Sequence, residues 1–587
     1  MRQHWITSAV RQASVRTFAL SWLTLSGLTL SGCAGQPASP PSEVDRGQPN
    51  APAVTLASMP AIDVSRMLAD ITALSSDAFE GRAPGTKGED LTVAYLQDLL
   101  RAIGLKPGHT DGTYIQKVPL VGLTGANTHP LTIAKGLERQ TFRWKDDVVA
   151  WTKRVADTAA IEASDLVFAG YGVTAPEFNW DDFKDVDVKG KTIVVLVNDL
   201  QVPDPRDPKT LDAALFNGTA MTYYGRWTYK FEEGARRGAA GILIVHETGP
   251  AGYPFTVVQG NLGERFDLIT PDKNMGRAAV EGWISLDAAK RILAMAGQDF
   301  DDLKRRSLSR DFRPVALGLK ASLGLRNTMR TIDSRNVLAK VEGSDPPGQD
   351  EYVVYTAHWD HLGVGAPVKG DRIYNGALDN ASGVAALLEI ARAFATVVPK
   401  PKRSILFAFV TAEEQGLLGS QHYAVSPVYP LAKTLANINI DGVNQWGRTK
   451  DIIVIGMGAS DLDDYLREAA TEQGRTLRPD PESEKGFYYR SDHFNMAKQG
   501  VPALYTDTGE EYIDKPEGYS QRKRDEYTNV DYHAPSDQVK ADWDLTGAVE
   551  DVQLQFLVGY RVASAARFPE WKPGHEFKAA RDAMLGR

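Results

Sequence analysis

The sequence predicts an α/β protein whose sheet is mostly parallel and flanked by helices. Three short apolar runs, at 352–357, 405–411 and 435–440, are typical of strands buried on both faces. Between the first two runs, apolar residues recur at helical spacing over 384–394, and Ser382 is the candidate N-cap. A strand, a helix and a strand in this order predict βαβ units and a parallel sheet.

Each apolar run ends in acids or a histidine, namely His358, Glu413 with Glu414, and Asp441, and Asp379 precedes the predicted helix. One such residue alone is most often a cap or a turn residue. In succession they are expected to meet at the carboxyl ends of the strands, where open α/β sheets bind ligands. Clustered carboxylates repel one another and are costly to desolvate, so the pattern favours a divalent metal. Imidazole and carboxylate together suit zinc, with cobalt or manganese as substitutes.

Six motifs carry a family resemblance. They are His-x-Asp-His at 358–361, Leu-Asp-Asn-Ala-Ser-Gly at 378–383, Ala-Glu-Glu-x-Gly at 412–416, Asn-x-Asp-Gly at 439–442, Tyr-Arg-Ser-Asp-His at 489–493 and Asp-Tyr-His-Ala-Pro-Ser-Asp at 531–537. In order and spacing the chain resembles the co-catalytic di-zinc aminopeptidases, whose wider clan includes glutamate carboxypeptidase. The resemblance implies the zinc exopeptidase fold, with a mixed, mostly parallel sheet.

The same resemblance implies two zinc ions per chain. Asp379 would bridge them, His358 and Asp441 would complete one site, and Glu414 and His533 would complete the other. The implied activity is removal of N-terminal residues from peptides.

In that reaction Glu413 would be the general base that activates a water shared by the metals. Asp360 would fix the ring of His358, and Asp537 would orient the ring of His533. Further residues are expected beside the metals or the substrate: Ser491, Asp492, His493 and, as an oxyanion donor, Tyr527.

Other functions remain open on the same fold. A carboxypeptidase or dipeptidase would need a basic clamp for the substrate carboxylate, for which Arg490 is available. A catalytically silent binding protein would be expected to lack ligands or the base, and acyl transfer on a one-zinc version of the fold would not need the full ligand set.

Length and composition set the broad class. The chain has 587 residues, which is more than one ordinary domain. Its 43% hydrophobic and 24% charged residues are ordinary for a globular protein. The net charge of −9 argues against nucleic acid as a partner, and a peptide is the expected substrate. No oligomeric state is predicted.

The first 33 residues are predicted to be a lipoprotein signal peptide. Arginines precede an apolar run at 18–30, which is followed by Leu-Ser-Gly-Cys, and this resembles a bacterial lipid-attachment site at Cys33. Residues 34–60 are rich in Pro, Ala, Gly and Ser and are expected to form a disordered tether. The protein is therefore expected to be exported and anchored by lipid in the cell envelope. Ala34 after the cysteine favours the outer membrane, facing the periplasm or the cell surface.

The remaining chain is predicted to contain one interrupted domain and one insertion. Residues 61–116 and 334–587 form the di-zinc peptidase domain, and residues 117–333 form an inserted region. The insertion resembles a β-rich protease-associated (PA) domain, mainly through its Gly-Tyr-Gly and Val-x-Gly-Lys turns. In the peptidase part, Glu80 and Arg82 are expected to form a structural ion pair, with an approach to the site as the alternative. Residues 507–530 are expected to be a loop that shapes the specificity pocket.

Overall fold

A computed structural model describes residues 54–260 and 263–587. The predicted signal peptide, the lipid site at Cys33 and the first part of the predicted tether lie outside these residues. The last part of the predicted tether, 54–60, belongs to the fold. Val54 is completely buried and the backbone N–H of Leu56 donates to Glu472 at 2.9 Å. The prediction of disorder through residue 60 was therefore wrong, because composition does not reveal a single anchoring apolar side chain.

The centre of the peptidase part is a parallel sheet, as predicted. Tyr352–His358 lies between Ser404–Val410 and Thr434–Asn439 and is parallel to both. Ala503–Asp507 continues the sheet in parallel beside Thr434–Asn439. Every residue of the three central strands is buried, which explains why their sequences are continuously apolar rather than alternating.

The outer strands make the sheet mixed. Asp451–Ile455 runs antiparallel to Ala503–Asp507. At the edge of the sheet, Thr476–Pro479 pairs with Asp451–Ile455 in parallel orientation. On the other side, Val315–Val341 runs antiparallel to Ser404–Val410. The predicted fold class, a mostly parallel mixed sheet flanked by helices, is confirmed.

Helices cover this sheet. Gly383–Thr396 is almost entirely buried, which agrees with its apolar sequence, and it packs with Val64–Leu74 and Thr546–Ser564 in one hydrophobic core. Residues 507–530 are not only a loop, because 12 of them form the helix Tyr519–Val530. The other helices of the peptidase part are Lys87–Ile103, Leu418–Val425, Leu462–Glu472, His493–Lys498 and Lys578–Met584. None of the helices that the structure describes is long and apolar enough to cross a bilayer.

The inserted region contains a second parallel arrangement. Its strands Thr158–Phe168, Thr192–Leu196, Gly241–His246 and Val280–Ser285 are successively parallel, and Val148–Trp151 closes the edge in antiparallel orientation. Helices accompany these strands, so the region is more helical than a β-rich prediction implies. They include Trp227–Arg236, Leu286–Met295 and Phe300–Arg306.

Two long strands connect the insertion to the peptidase part. Ile115–Lys135 and Val315–Val341 pair in antiparallel orientation from Ile115 opposite Val337 to Ala134 opposite Lys320. Both predicted boundaries, 117 and 333, fall inside this ladder. The two parts therefore share continuous hydrogen-bonded strands rather than a flexible linker.

Candidate metal centre

The strand ends bring the predicted site residues together. His358 is the last residue of its strand, Glu413 and Glu414 follow Ser404–Val410, and Asp441 follows Thr434–Asn439. Because these strands are parallel neighbours, their carboxyl ends lie at one edge of the sheet.

Asp379 occupies the middle of this edge. Its Oδ1 lies 3.2 Å from Nε2 of His358, and its Oδ2 lies 3.3 Å from Nε2 of His533. His358 Nε2 is also 3.3 Å from Oδ1 of Asp441, and His533 Nε2 is 3.0 Å from Oε2 of Glu414. The two oxygens of Asp379 therefore face two different donor groups, one on each side.

The spacing within each group fits a metal ion. Ligand atoms bound tetrahedrally at ~2.0 Å lie ~3.3 Å apart, close to the observed separations. The charges fit as well: burial, and then the carboxylates of Asp441 and Glu414, raise the pKa of Glu413 well above its ordinary value, although His358 opposes them. A cation between these carboxylates would relieve that repulsion.

A further histidine, His361, joins the second donor group. It is fully buried, and its Nδ1 lies 2.5 Å from Oε1 of Glu414. Neither atom has a hydrogen-bond partner of acceptable geometry among the described residues. His361, Asp379 and Glu414 thus form a set of facing donor atoms. The sequence signal for His361 is its place in the His-x-Asp-His motif. The sequence analysis gave roles to His358 and Asp360 of this motif but none to His361.

Asp360 is close to the centre but does not act as predicted. Nδ1 of His358 faces the backbone carbonyl of Asp360 at 3.1 Å, whereas the Asp360 carboxylate is 3.8 Å away. That carboxylate instead accepts the backbone N–H of Glu413 at 3.1 Å. Burial raises the pKa of Asp360 to about 8. Its side chain therefore positions the segment that carries the predicted base.

Two other predicted residues brace the aspartates. The hydroxyl of Ser491 donates to Oδ2 of Asp441 at 2.6 Å. Asp537 accepts the backbone N–H groups of Leu378 at 3.0 Å and Asp379 at 3.1 Å. The prediction that Asp537 orients the ring of His533 was wrong, because its oxygens accept from the turn that carries Asp379.

The ring of His533 is supported by Tyr532, which the sequence analysis did not select. The two rings stack with centroids 3.9 Å apart and planes 24° apart. Burial, and then the carboxylates of Asp379 and Glu414, raise the pKa of the Tyr532 hydroxyl, so it stays protonated beside the centre. The predicted donor, Tyr527, has its hydroxyl 3.4 Å from Oδ2 of Asp537.

The remaining pair, Asp492 and His493, lies in the interior. His493 is fully buried, with its ring centroid 4.7 Å from that of Tyr488 and 4.9 Å from that of Tyr505. A direct substrate contact for His493 is therefore excluded. Asp492 is also fully buried, and burial raises its pKa to about 7.

Arg82 supports the loops that carry the centre. It is almost completely buried, and its guanidinium donates to the carbonyls of Trp359, Asn375 and Gly376 at 2.7–2.9 Å. These carbonyls flank His358 and Asp379 in the chain. The predicted ion pair between Glu80 and Arg82 is not formed, since Glu80 pairs with Lys87 at 3.1 Å.

Fold and centre together define the class: an α/β protein with two adjacent acid and imidazole donor groups at the carboxyl ends of parallel strands. Residues 336–557, which carry every metal-donor residue described above, match peptidase family M28. These 222 residues make up less than half of the 587-residue chain.

Curated relatives match over shorter segments. Aminopeptidase NAALADL1 of Mus musculus is 38% identical over 133 residues, which cover 22% of this chain and 16% of the relative. A probable zinc metalloprotease of Pyrenophora teres f. teres (strain 0-1) is 38% identical over 112 residues, covering 19% of this chain and 23% of the relative. The chain thus spans less than a quarter of the length of these relatives.

Among solved structures, an aminopeptidase from Aneurinibacillus sp. strain AM-1 aligns with 86% of this chain and 95% of its own. Its sequence identity is 17% and the TM-score is 0.44.

Proposed function

We propose that the protein is a zinc-dependent aminopeptidase that holds two zinc ions and uses Glu413 as its general base. The observation that carries this proposal is the position of Asp379, whose two oxygens face separate donor groups at 3.2 and 3.3 Å. His358 and Asp441 would hold one ion, and Glu414 and His533 the other, with His361 beside the second.

The bound ions would supply Lewis-acid chemistry, which polarises a peptide carbonyl and makes water more acidic. The protein's own part is proton transfer. Glu413 lies in a mostly buried position beside the donor groups, with one oxygen 4.0 Å from Nε2 of His358. It would accept a proton from the attacking water and deliver it to the leaving amine.

An N-terminal specificity needs a group that recognises the α-amine. A free α-amine is cationic and would be met by a carboxylate near the metals, whereas a blocked amine would lose this interaction. Peptides with a free N-terminus are therefore the proposed substrates. A carboxypeptidase would act on amino-blocked peptides instead, so the two activities separate in one assay.

The test uses protein from residue 34 onward, with amino-acid 4-nitroanilides and matched amino-blocked peptides. Hydrolysis of free-amine substrates is expected, with loss in chelator and recovery on adding zinc. Glu413→Gln should lower kcat by about 10²- to 10⁴-fold while metal content stays at two ions. Glu484→Gln, which removes an exposed carboxylate, is the matched control. Cleavage from the carboxyl end, or full activity of Glu413→Gln, would reject the proposal.

The proposal extends to location. The Leu-Ser-Gly-Cys sequence supports lipid attachment at Cys33, with the protein anchored in the bacterial outer membrane. Cys33→Ala should move the protein from the membrane fraction to the soluble fraction after expression in a bacterial host. Retention of the variant in the membrane fraction would contradict lipid anchoring. We also propose that the inserted region is a PA-like domain.

A further inference from the structure

A cavity of about 450 Å³ lies between the insertion and the peptidase part. The insertion contributes Phe178 and Met221 to its lining, and the peptidase part contributes residues from 456–459, 483–489 and 573–576. Of the described residues that line it, none is a metal donor. A volume of this size accommodates a small organic molecule.

Strand direction separates this cavity from the metal centre. The metal donors follow the carboxyl ends of parallel strands, and Ala503–Asp507 runs in the same direction as these strands. Asp451–Ile455 is antiparallel to Ala503–Asp507, so its carboxyl end is directed toward the opposite edge of the sheet. The next residue, Gly456, lines the cavity. A ligand in the cavity would therefore occupy a place separate from the metal donors.

The lining of the cavity is acidic. Asp480 and Glu576 contribute carboxylates, whereas no Lys or Arg of the described residues lines the cavity. The lining histidine, His575, is uncharged at neutral pH, because burial lowers its pKa to about 4. Lys485 and Arg490 lie within 6.0 Å of the centre of one lining ring, but neither lines the cavity itself. The cavity thus offers negative charge without a cation in its wall.

Glu576 is a carboxyl group without a counter-charge. One oxygen accepts the hydroxyl of Tyr489 at 2.6 Å, and the other accepts the backbone N–H of Tyr223 at 3.4 Å. Among the described residues Glu576 forms no ion pair, and the charged groups that act on it are the anions Asp199 and Glu177. Burial, and to a smaller degree these anions, raise its pKa to about 8. A cation in the cavity would offset this repulsion and let Glu576 ionise.

Aromatic rings form much of the remaining wall, namely those of Phe178, Phe487, Tyr488 and Tyr489. The rings of Tyr488 and Tyr489 pack edge to face with their centroids 5.4 Å apart. The Tyr488 hydroxyl is buried without a hydrogen-bond partner among the described residues. Aromatic faces attract organic cations and also bury apolar groups. A carboxyl group beside such rings is the chemistry that recognises an ammonium group with an apolar body.

We propose that this cavity binds a small organic ammonium ion that carries an apolar or aromatic group. The ammonium group would pair with Glu576, and the apolar group would lie against the rings of Phe178 and Phe487. Because the insertion and the peptidase part both line the cavity, the ligand would contact both of them. This binding site goes beyond the peptidase activity and does not depend on it.

Titration calorimetry of the zinc-loaded protein with phenethylamine tests the proposal. The neutral probe is 2-phenylethanol, which has a hydroxyl in place of the ammonium group, and the anionic probe is 3-phenylpropionate. Phenethylamine should bind about 10- to 100-fold more tightly than the alcohol, because a charge-assisted hydrogen bond replaces a neutral one. Equal affinities for the amine and the alcohol, or tighter binding of the anion, would overturn the proposal.

Two variants change the cavity from opposite sides. Glu576→Gln should bring the ratio of the amine and alcohol affinities close to one, whereas Glu484→Gln, an exposed position outside the lining, should keep it. Ala220→Trp fills the cavity from the insertion and should abolish binding of both probes. Melting temperatures identify a variant that fails to fold, and either folded variant suffices. Wild-type affinity for the amine in folded Glu576→Gln or Ala220→Trp would overturn the proposal.

Proton release tests the pairing with Glu576 directly. At about pH 7 a carboxyl group with a pKa of about 8 is mostly protonated, and a bound cation makes it ionise. Titrations in two buffers of different ionisation enthalpy should show up to about one proton released per amine bound. Glu576→Gln should release none. Binding of the amine to the wild type without proton release would contradict the proposed pairing.

Discussion

Nδ1 of His361 lies 2.5 Å from Oε1 of Glu414, and neither atom has an acceptable hydrogen-bond partner among the described residues. This separation is shorter than the ~3.3 Å between ligands bound tetrahedrally at ~2.0 Å, so His361 is placed to orient Glu414 beside an ion. His533 approaches the other oxygen of the same carboxylate at 3.0 Å. Glu414 is thus held between two imidazoles.

His361→Ala should weaken metal binding at the second donor group. The loss of a ligand, or of a group that orients one, reduces metal affinity by about 10- to 100-fold. Competition with a chromogenic chelator at neutral pH measures this change. His129→Ala, which removes an exposed histidine of the insertion, serves as the control. Wild-type affinity for both ions in His361→Ala would show that the ring only fills space.

Tyr532→Phe should reduce kcat and leave metal content unchanged. The variant keeps the ring that stacks on His533 but removes a protonated hydroxyl beside the centre. Loss of a donor that stabilises developing oxyanion charge lowers kcat by about 10²- to 10³-fold. Tyr527→Phe is the matched variant, because that hydroxyl is directed to Asp537, and its kcat should change by less than about 3-fold. Equal losses of kcat in Tyr532→Phe and Tyr527→Phe would contradict a specific role of the Tyr532 hydroxyl at the centre.

Arg82→Lys should destabilise the fold. One ammonium group cannot replace a planar guanidinium that donates to the carbonyls of Leu74, Trp359, Asn375 and Gly376. Buried carbonyls left without donors should cost about 2–5 kcal/mol, measured by urea unfolding of the metal-free protein. Arg101→Lys, at an exposed position, should change stability little. A loss below ~1 kcal/mol for Arg82→Lys would mean that water or the lysine restores these bonds.

Glu576 should make stability depend on pH. It lines a cavity of about 450 Å³ between the insertion and the peptidase part, and the Tyr489 hydroxyl donates to it at 2.6 Å. Burial raises its pKa from 4.5 to about 8, so the folded protein binds a proton there more tightly than the unfolded chain does. The stability from this group is complete below pH 4.5 and is lost as the pH rises through about 8.

Glu576→Gln should therefore reduce the loss of unfolding free energy between pH 5 and 8. The slope of the unfolding free energy against pH should change by the equivalent of up to about one bound proton. Urea midpoints of the wild type and the variant at several pH values measure the slope. Glu484→Gln, at an exposed position near the same cavity, should leave it unchanged. Parallel curves for wild type and Glu576→Gln would exclude the raised pKa.

The sequence by itself determined the parallel sheet and the position of the centre. Continuous apolar runs specify strands buried on both faces, and parallel neighbours must bring their carboxyl ends to one edge. For this reason His358, Glu413 and Asp441 could be grouped without coordinates. These features depend on short stretches of chain, where periodicity and strand direction leave few alternatives.

Only the tertiary structure decided what each supporting side chain contacts. Asp537 holds the turn at Asp379 rather than His533, and Arg82 donates to carbonyls nearly 300 residues away rather than to Glu80. His361 and Tyr532 join the centre because the loops around them pack closely there. Such partners depend on rotamers and on approaches between distant segments, which no local pattern specifies.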